Sequence, residues 1–220
     1  MTKEQVRARV EEIGIIPGLR VSSAEDALFA ADAISAGGIN IVEITMTVPG
    51  ALDVISALAR NGPHIIAGAG TVWGAETARR CVDAGARFLT STGFDPEVLE
   101  VAAHAKVLVF PGALTPTEIR AAWQAGCDLV KVFPCAMMGG AQYIRALKAP
   151  FPEVPLIAAG GITHQNAADF IHAGAVALGI GRDLIPPVAI QLRQPHRIEE
   201  LGRRLIGIIR EARHNGLKPV

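Results

Sequence analysis

At 220 residues, half of them hydrophobic, the chain is long enough to bury a sizeable core, and one domain spanning residues 1–220 is the expectation. Lys+Arg and Asp+Glu both number 21, so the formal charge is zero and no basic surplus is available for nucleic acid or an anionic membrane; a small molecule is the expected partner. Cys81, Cys127 and Cys135 are odd in number and lack CxxC spacing or a nearby histidine cluster, which argues against a disulfide framework or a zinc site and for free thiols in the cytoplasm.

The first segment, MTKEQVRARVEEIG, is charged and helical in pattern, with no apolar stretch of signal-peptide length. No window of the chain reaches the roughly eighteen apolar residues of a membrane span. After this helix, expected over residues 2–14, eight short apolar runs follow: 15–20, 41–45, 64–70, 88–91, 107–112, 129–134, 155–161 and 175–181. Between them lie segments of helical period such as SSAEDALFAADAISAGG and TPTEIRAAWQAGCD, where Ser or Thr followed by Glu or Asp signals a helix start and Gly its end. AAGGIT, at 158–163, leads into a helix expected near His164, and GIGRDL, at 179–184, into a short turn. Residues 191–197 read as a loop and 197–215 as the last helix.

A strand–helix alternation with a period of roughly twenty to twenty-five residues predicts βα units. Eight of them close into a TIM (β/α)8 barrel, with the first helix across its bottom. An open doubly wound sheet is the competing architecture, but no GxGxxG opens its first βα turn.

Barrel chemistry sits at the C-terminal ends of the strands. Those ends supply Arg20, Glu43, Thr71, Ser91, Lys131, the pair Gly160 and Gly161, and the pair Gly179 and Gly181. Lys131 stands in DLVKVFP, where desolvation by Phe133 and its strand neighbours disfavours the charged form and makes the amine a Schiff-base nucleophile. The alternative is an ammonium that snorkels to solvent or pairs with a carboxylate. Glu43 faces inward if Val42 and Ile44 face the helices; it is then a proton shuttle, or the structural ion-pair partner of Lys131. The glycine pairs let backbone N–H groups approach an anion, and loops after the last two barrel strands are a frequent phosphate site; the plainer reading is tight βα turns. Thr71 either hydrogen-bonds a carboxylate or carbonyl or caps a helix, and Arg20 either clamps a carboxylate or lies on the surface. Cys135, Met137, Met138 and all six histidines are assigned to packing or surface, and Trp73 and Trp123 to wall or interface.

With these residues placed, the chain resembles the class I aldolases that cleave 2-keto-3-deoxy-6-phosphogluconate (KDPG) and 4-hydroxy-2-oxoglutarate (KHG). The carriers are VEITMTVPGA around Glu43, GAGTV around Thr71, FPGALTPTE at 110–118, VKVFP around Lys131, MGGAQYIRALK at 138–148 and AAGGIT at 158–163. The resemblance implies a Schiff base on Lys131, proton movement by Glu43, and Thr71 and Phe133 against the keto acid. It also implies a phosphate held by Gly160, Gly161, Gly179, Gly181 and Arg182, no metal or other cofactor, and a cytoplasmic homotrimer working in Entner–Doudoroff carbohydrate metabolism. The products would be pyruvate and an aldehyde.

Three positions depart from the family pattern. Thr47 stands where many relatives carry an arginine, so the carboxylate role moves to Arg20. Ala159 precedes the glycine pair where many carry threonine, which bears on preference at the C4 hydroxyl. Arg182 follows Gly181 where serine is common. The sequence thus leaves a 2-keto-3-deoxy-6-phosphogalactonate (KDPGal) aldolase, a TIM-barrel phosphosugar isomerase and a non-catalytic trimeric scaffold as rival readings.

Overall fold

The computed structural model describes residues 1–62 and 64–215; Pro63 and 216–220 of the expected 1–220 domain lie outside the described residues. The first helix, α1 (Lys3–Ile13), is fixed at both ends by its own sequence. Thr2 and Gln5 form a reciprocal capping box, and Gly14 ends the helix in the left-handed conformation at φ 69°. The chain then alternates: β1 (Ile15–Leu19), α2 (Ala24–Ala36), β2 (Ile41–Thr45), α3 (Ala51–Asn61), β3 (Ile66–Gly70), α4 (Ala75–Asp83), β4 (Phe88–Thr90), α5 (Pro96–Ala105), β5 (Leu108–Phe110) and β6 (Gly112–Ala113). It continues through α6 (Pro116–Gln124), β7 (Val130–Val132), α7 (Ala141–Lys148), β8 (Leu156–Ala159), α8 (Ala167–His172), β9 (Ala175–Ile180), α9 (Pro187–Gln191) and α10 (Pro195–Asn215).

All the strand pairings are parallel, in the order β5-β4-β3-β2-β1-β9-β8-β7-β6. The two end strands, β5 and β6, are consecutive in the chain and separated only by Pro111, so the sheet closes on itself as a TIM barrel. The fifth apolar run thus becomes two strands, because Pro111 has no N–H to continue the ladder. Its carbonyl still accepts from Lys131 N at 2.9 Å, holding β7 against the break.

Strand parity divides the core. Ile16, Ile41, Ile66, Phe88, Leu108, Leu129, Ile157 and Ala177 fill the barrel interior, and Val6 and Val10 of α1 close it from below. The alternate strand residues, Val42 and Ile44 among them, pack against the surrounding helices. One step above the apolar floor, Glu43 pairs in register with Gly18 and Gly68, and Lys131 with Gly112. Glu43 therefore faces inward, as its neighbours predicted.

Several boundaries differ from the sequence reading. The helix expected near His164 begins at Ala167, because Thr163 N is taken by Asn166 Oδ1 at 2.8 Å and His164 N by Asp183 Oδ2 at 2.7 Å. Residues 187–191 form α9, for which the sequence reading had no element, and the loop expected over 191–197 is cut short because α10 starts at Pro195, proline being suited to the first turn of a helix.

Candidate active site

Above the floor, the strand ends surround an open cavity of about 630 Å³. Its lining includes Arg20 after β1, Glu43 and Thr45 from β2, Lys131 and Phe133 at the end of β7, and Ala159, Gly160 and Gly161 at the end of β8. From β9 and the loop after it come Gly179, Gly181, Arg182 and Asp183. Nine of the eleven residues singled out from sequence thus meet in one mouth; Ser91 is buried outside it, its hydroxyl donating to Gly93 O at 2.6 Å. Thr71 does not line it. It follows β3 at φ 60°, a left-handed conformation uncommon for a β-branched residue. Nor does it cap α4: the N–H groups of Gly74 and Ala75 are taken by the carboxylates of Asp95 and Glu97.

At the base of the cavity lies a closed polar cluster. Lys131 Nζ is 3.2 Å from Glu43 Oε2, 3.5 Å from Oε1 and 3.0 Å from Thr90 Oγ1, and Thr90 donates in turn to Glu43 Oε2 at 2.9 Å. All three side chains are buried, and among the described residues no buried side-chain nitrogen or oxygen lacks a partner. Such a pair is stable only while both members remain: deleting one leaves a buried charge uncompensated, at about 3–5 kcal/mol. Thr90 was not among the residues singled out from sequence, where only strand ends were searched. Strand parity would have found it, since Thr90 lies two residues beyond the inward Phe88, at the level of Glu43.

Gly70 makes room for the carboxylate. A Cβ there would stand 2.1 Å from Glu43 Oε1, and one at Gly68 would strike the Phe88 ring at 2.2 Å, so the two glycines of GAG serve packing inside the barrel. Thr45 donates to Leu19 O at 2.9 Å and contacts the Thr47 hydroxyl at 2.8 Å, which ties the strand-two rim to β1.

The opposite wall carries the glycine loops that the sequence offered as an anion site. Gly160 and Gly161 have φ of 87° and 83°, which side-chain-bearing residues rarely adopt. Among the described residues, no acceptor takes the N–H groups of Gly161 and Ile162 after β8, or of Gly181 and Arg182 after β9, whereas Gly160 N–H faces the ladder that Ala159 shares with Gly179. The donors for an anion are thus loop amides, not the start of α8. His164, assigned to packing or surface from sequence, joins the two loops: Nδ1 meets the Asp183 carboxylate and Nε2 lies 3.0 Å from Leu201 O of α10. A second groove of about 630 Å³ runs between α4 and α5, lined by Arg79, Glu97, Glu100 and His104 and remote from this cluster.

A TIM barrel with a buried amine–carboxylate pair beneath its strand-end mouth is the frame of a small-molecule enzyme. The chain belongs to the KDPG and KHG aldolase family, whose description matches it over residues 6–201. A 2-dehydro-3-deoxy-phosphogluconate aldolase of Pseudomonas aeruginosa is 31% identical over 216 residues, covering 96% of this chain and 98% of that one. Among solved structures, KDPG aldolase of Legionella pneumophila, with pyruvate captured at low pH as a covalent carbinolamine, superposes with a TM-score of 0.84 at 30% identity, covering 90% of this chain and 96% of that one. A native KDPGal structure gives 0.83 at 30% identity, covering 91% and 96%. The enzyme is therefore an aldehyde-lyase of carbohydrate metabolism. Among the described residues no helix is long and apolar enough to cross a membrane, and no group of three or more His, Cys, Asp or Glu forms a metal cluster.

Proposed function

We propose that this chain is a class I aldolase that cleaves KDPG or KHG through a Schiff base on Lys131. The observation that carries the reading is the buried Lys131 amine, 3.2 Å from the Glu43 carboxylate at the foot of an open, amide-rimmed cavity. Glu43 takes a proton from the amine, and the freed Nζ attacks the C2 ketone to give a carbinolamine. Loss of water then leaves a protonated imine. Glu43 removes the C4 hydroxyl proton, the C3–C4 bond breaks, and its electron pair passes to the imine nitrogen, releasing the aldehyde and an enamine. Protonation at C3 and hydrolysis return pyruvate and the amine. Positioned proton transfer of this kind contributes about a hundred- to ten-thousand-fold.

In this reading the substrate phosphate sits against the free amides after β8 and β9, with Arg182 beside them, and Arg20 meets the carboxylate. Phe133 walls the amine. Exposed Trp73, Met137 and Met138, which follow β3 and β7 on the strand-end rim, support assembly into the homotrimer that the family resemblance implies. We place the enzyme in the cytoplasm, as one compact domain without metal or cofactor. A KDPGal aldolase is the second reading, favoured by Ala159: a methyl group in the mouth offers no hydroxyl to read the C4 configuration.

Borohydride reduction in the presence of pyruvate tests the chemistry. A mass adduct on Lys131, lost in Lys131→Ala, is expected, together with pyruvate release from a panel of 2-keto-3-deoxy acids that ranks KDPG, KDPGal and KHG. Cleavage by Lys131→Ala within tenfold of the parent would rule out the covalent role.

A further inference from the structure

The proposed chemistry employs Lys131 and Glu43, yet the shortest contact of the amine is to neither carboxylate oxygen. It is to Thr90 Oγ1, at 3.0 Å, against 3.2 and 3.5 Å to Glu43. Thr90 is 1% exposed, and its hydroxyl hydrogen is committed to Glu43 Oε2 at 2.9 Å. The hydroxyl therefore accepts from the amine and donates to the carboxylate at the same time.

This arrangement has a consequence once an imine forms. An ammonium has three N–H bonds to share among three oxygens, but a protonated imine has one. That single N–H lies in the plane of the C=N bond, so the oxygen that accepts it sets the plane of the reacting carbons. Thr90 is the nearest acceptor and is held on β4, a rigid strand. If it takes the imine N–H, the full charge of Glu43 is not spent on the nitrogen. Because Thr90 also fills Oε2, the oxygen left for substrate is Oε1. That oxygen points at the space Gly70 keeps open, where a Cβ would approach to 2.1 Å, and lies 3.8 Å from the Cβ position of Gly18. Gly18 lines the cavity, and Gly70 pairs in register with Thr45, which lines it too, so Oε1 borders the space a substrate enters.

We infer that Thr90 is a further catalytic residue: its hydroxyl holds the imine N–H and fixes Glu43 through Oε2, assigning Oε1 to the substrate's C4 hydroxyl proton and to the proton exchanged at C3. The inference rests on the Schiff-base reading and adds to it which oxygen works and what directs it. No bond to Thr90 forms or breaks, and its proton remains on the hydroxyl throughout.

The test is Thr90→Val, which keeps the shape and removes the hydroxyl, beside Thr90→Ser, which restores it. Deuterium incorporation into the pyruvate methyl, followed by NMR, reads the proton transfer between Glu43 and C3 without the aldehyde. Thr90→Val should still give a full borohydride adduct with pyruvate and a KM within about threefold of the parent. Its kcat for cleavage and its methyl exchange should fall about ten- to a hundredfold, reaching at most the lower limit of positioned proton transfer because Glu43 itself remains. Thr90→Ser should stay within about threefold on every measure. Should Thr90→Val fail to fold, Thr90→Cys, whose thiol is a weak donor, should show the same loss. Exchange by the hydroxyl-free variant within threefold of the parent overturns the inference, as does a serine variant as slow as the valine one. If the parent forms no adduct, the Schiff-base reading itself fails; if the parent forms one and Thr90→Val exchanges normally, only the role of Thr90 is lost.

Discussion

In the proposed reading, Arg20 takes the carboxylate role that the family resemblance gives to an arginine at the position of Thr47. Thr47, where many relatives carry the arginine, has its hydroxyl against Thr45 and brings no charge to the rim. Arg20 stands at the end of β1, exposed, lining the cavity, and without an ion-pair partner among the described residues. A keto-acid carboxylate entering a partly desolvated mouth needs such a group. Arg20→Ala is expected to raise KM for pyruvate and for phosphorylated and unphosphorylated keto acids alike, by about ten- to a hundredfold, the scale of a lost charge-assisted bond. Steady-state kinetics on both substrate types check this; a loss confined to phosphorylated substrates would assign Arg20 to the phosphate instead. Lys131, Glu43 and Arg20 were legible because a charge inside an apolar run stands out at any reading. Thr90 was not, because threonine is at home in strands, and only its level in the barrel reveals that it touches both charges.

At the scale of elements, the eight apolar runs and their Ser, Thr, Pro and Gly punctuation were enough to place the strands and most helix starts. Ser23 caps α2 and accepts from Asp26 N, and Thr115 with Glu118 forms the capping box of α6, as their spacing predicted. These are local bonds. What the sequence did not disclose are ties between segments far apart: Asp183 takes His164 N across 19 residues, and Leu201 O receives His164 Nε2 across 37. Those bonds delay α8 and lock the loop after β8 to the loop after β9 and to α10. The two loops carry the free amides, so their relative position governs how well they converge on one anion. His164→Ala is expected to raise KM for phosphorylated substrates by about tenfold while leaving pyruvate trapping within about twofold. Loss of bonds worth about 1.5–3 kcal/mol should lower the melting temperature by about 3–10 °C. Equal weakening of phosphorylated and unphosphorylated substrates would show that His164 serves only stability.

Across the whole molecule, the sequence's odd cysteine count pointed to free thiols, and the fold gives a physical reason to expect them to be unreactive. Cys81, Cys127 and Cys135 are all unpaired and buried in the layer between strands and helices. Burial disfavours their thiolates and pushes them up to about 11, about 12 and about 11 from an ordinary 9.0. Folded-state values above the unfolded ones mean that, from about pH 9 upward, the unfolded chain gives up thiol protons that the folded chain retains. Stability from these groups is therefore fully present below about pH 9 and is lost as pH rises towards 11 and 12. Each thiol adds a slope of at most about 1.4 kcal/mol per pH unit in that window. Tyr143, raised by burial, acts in the same direction, while Lys148, lowered by burial, acts against it. Urea unfolding followed between pH 7 and 11 should show a midpoint that falls above about pH 9. The fall should be shallower in Cys127→Ala, which isolates the thiol contribution from that of the other groups. In the same samples, an alkylating reagent at pH 8 should label no cysteine until denaturant unfolds the barrel. Labelling of any of the three in the native enzyme would mean that the helix layer opens locally, and the alkaline slope would then report that opening rather than global unfolding.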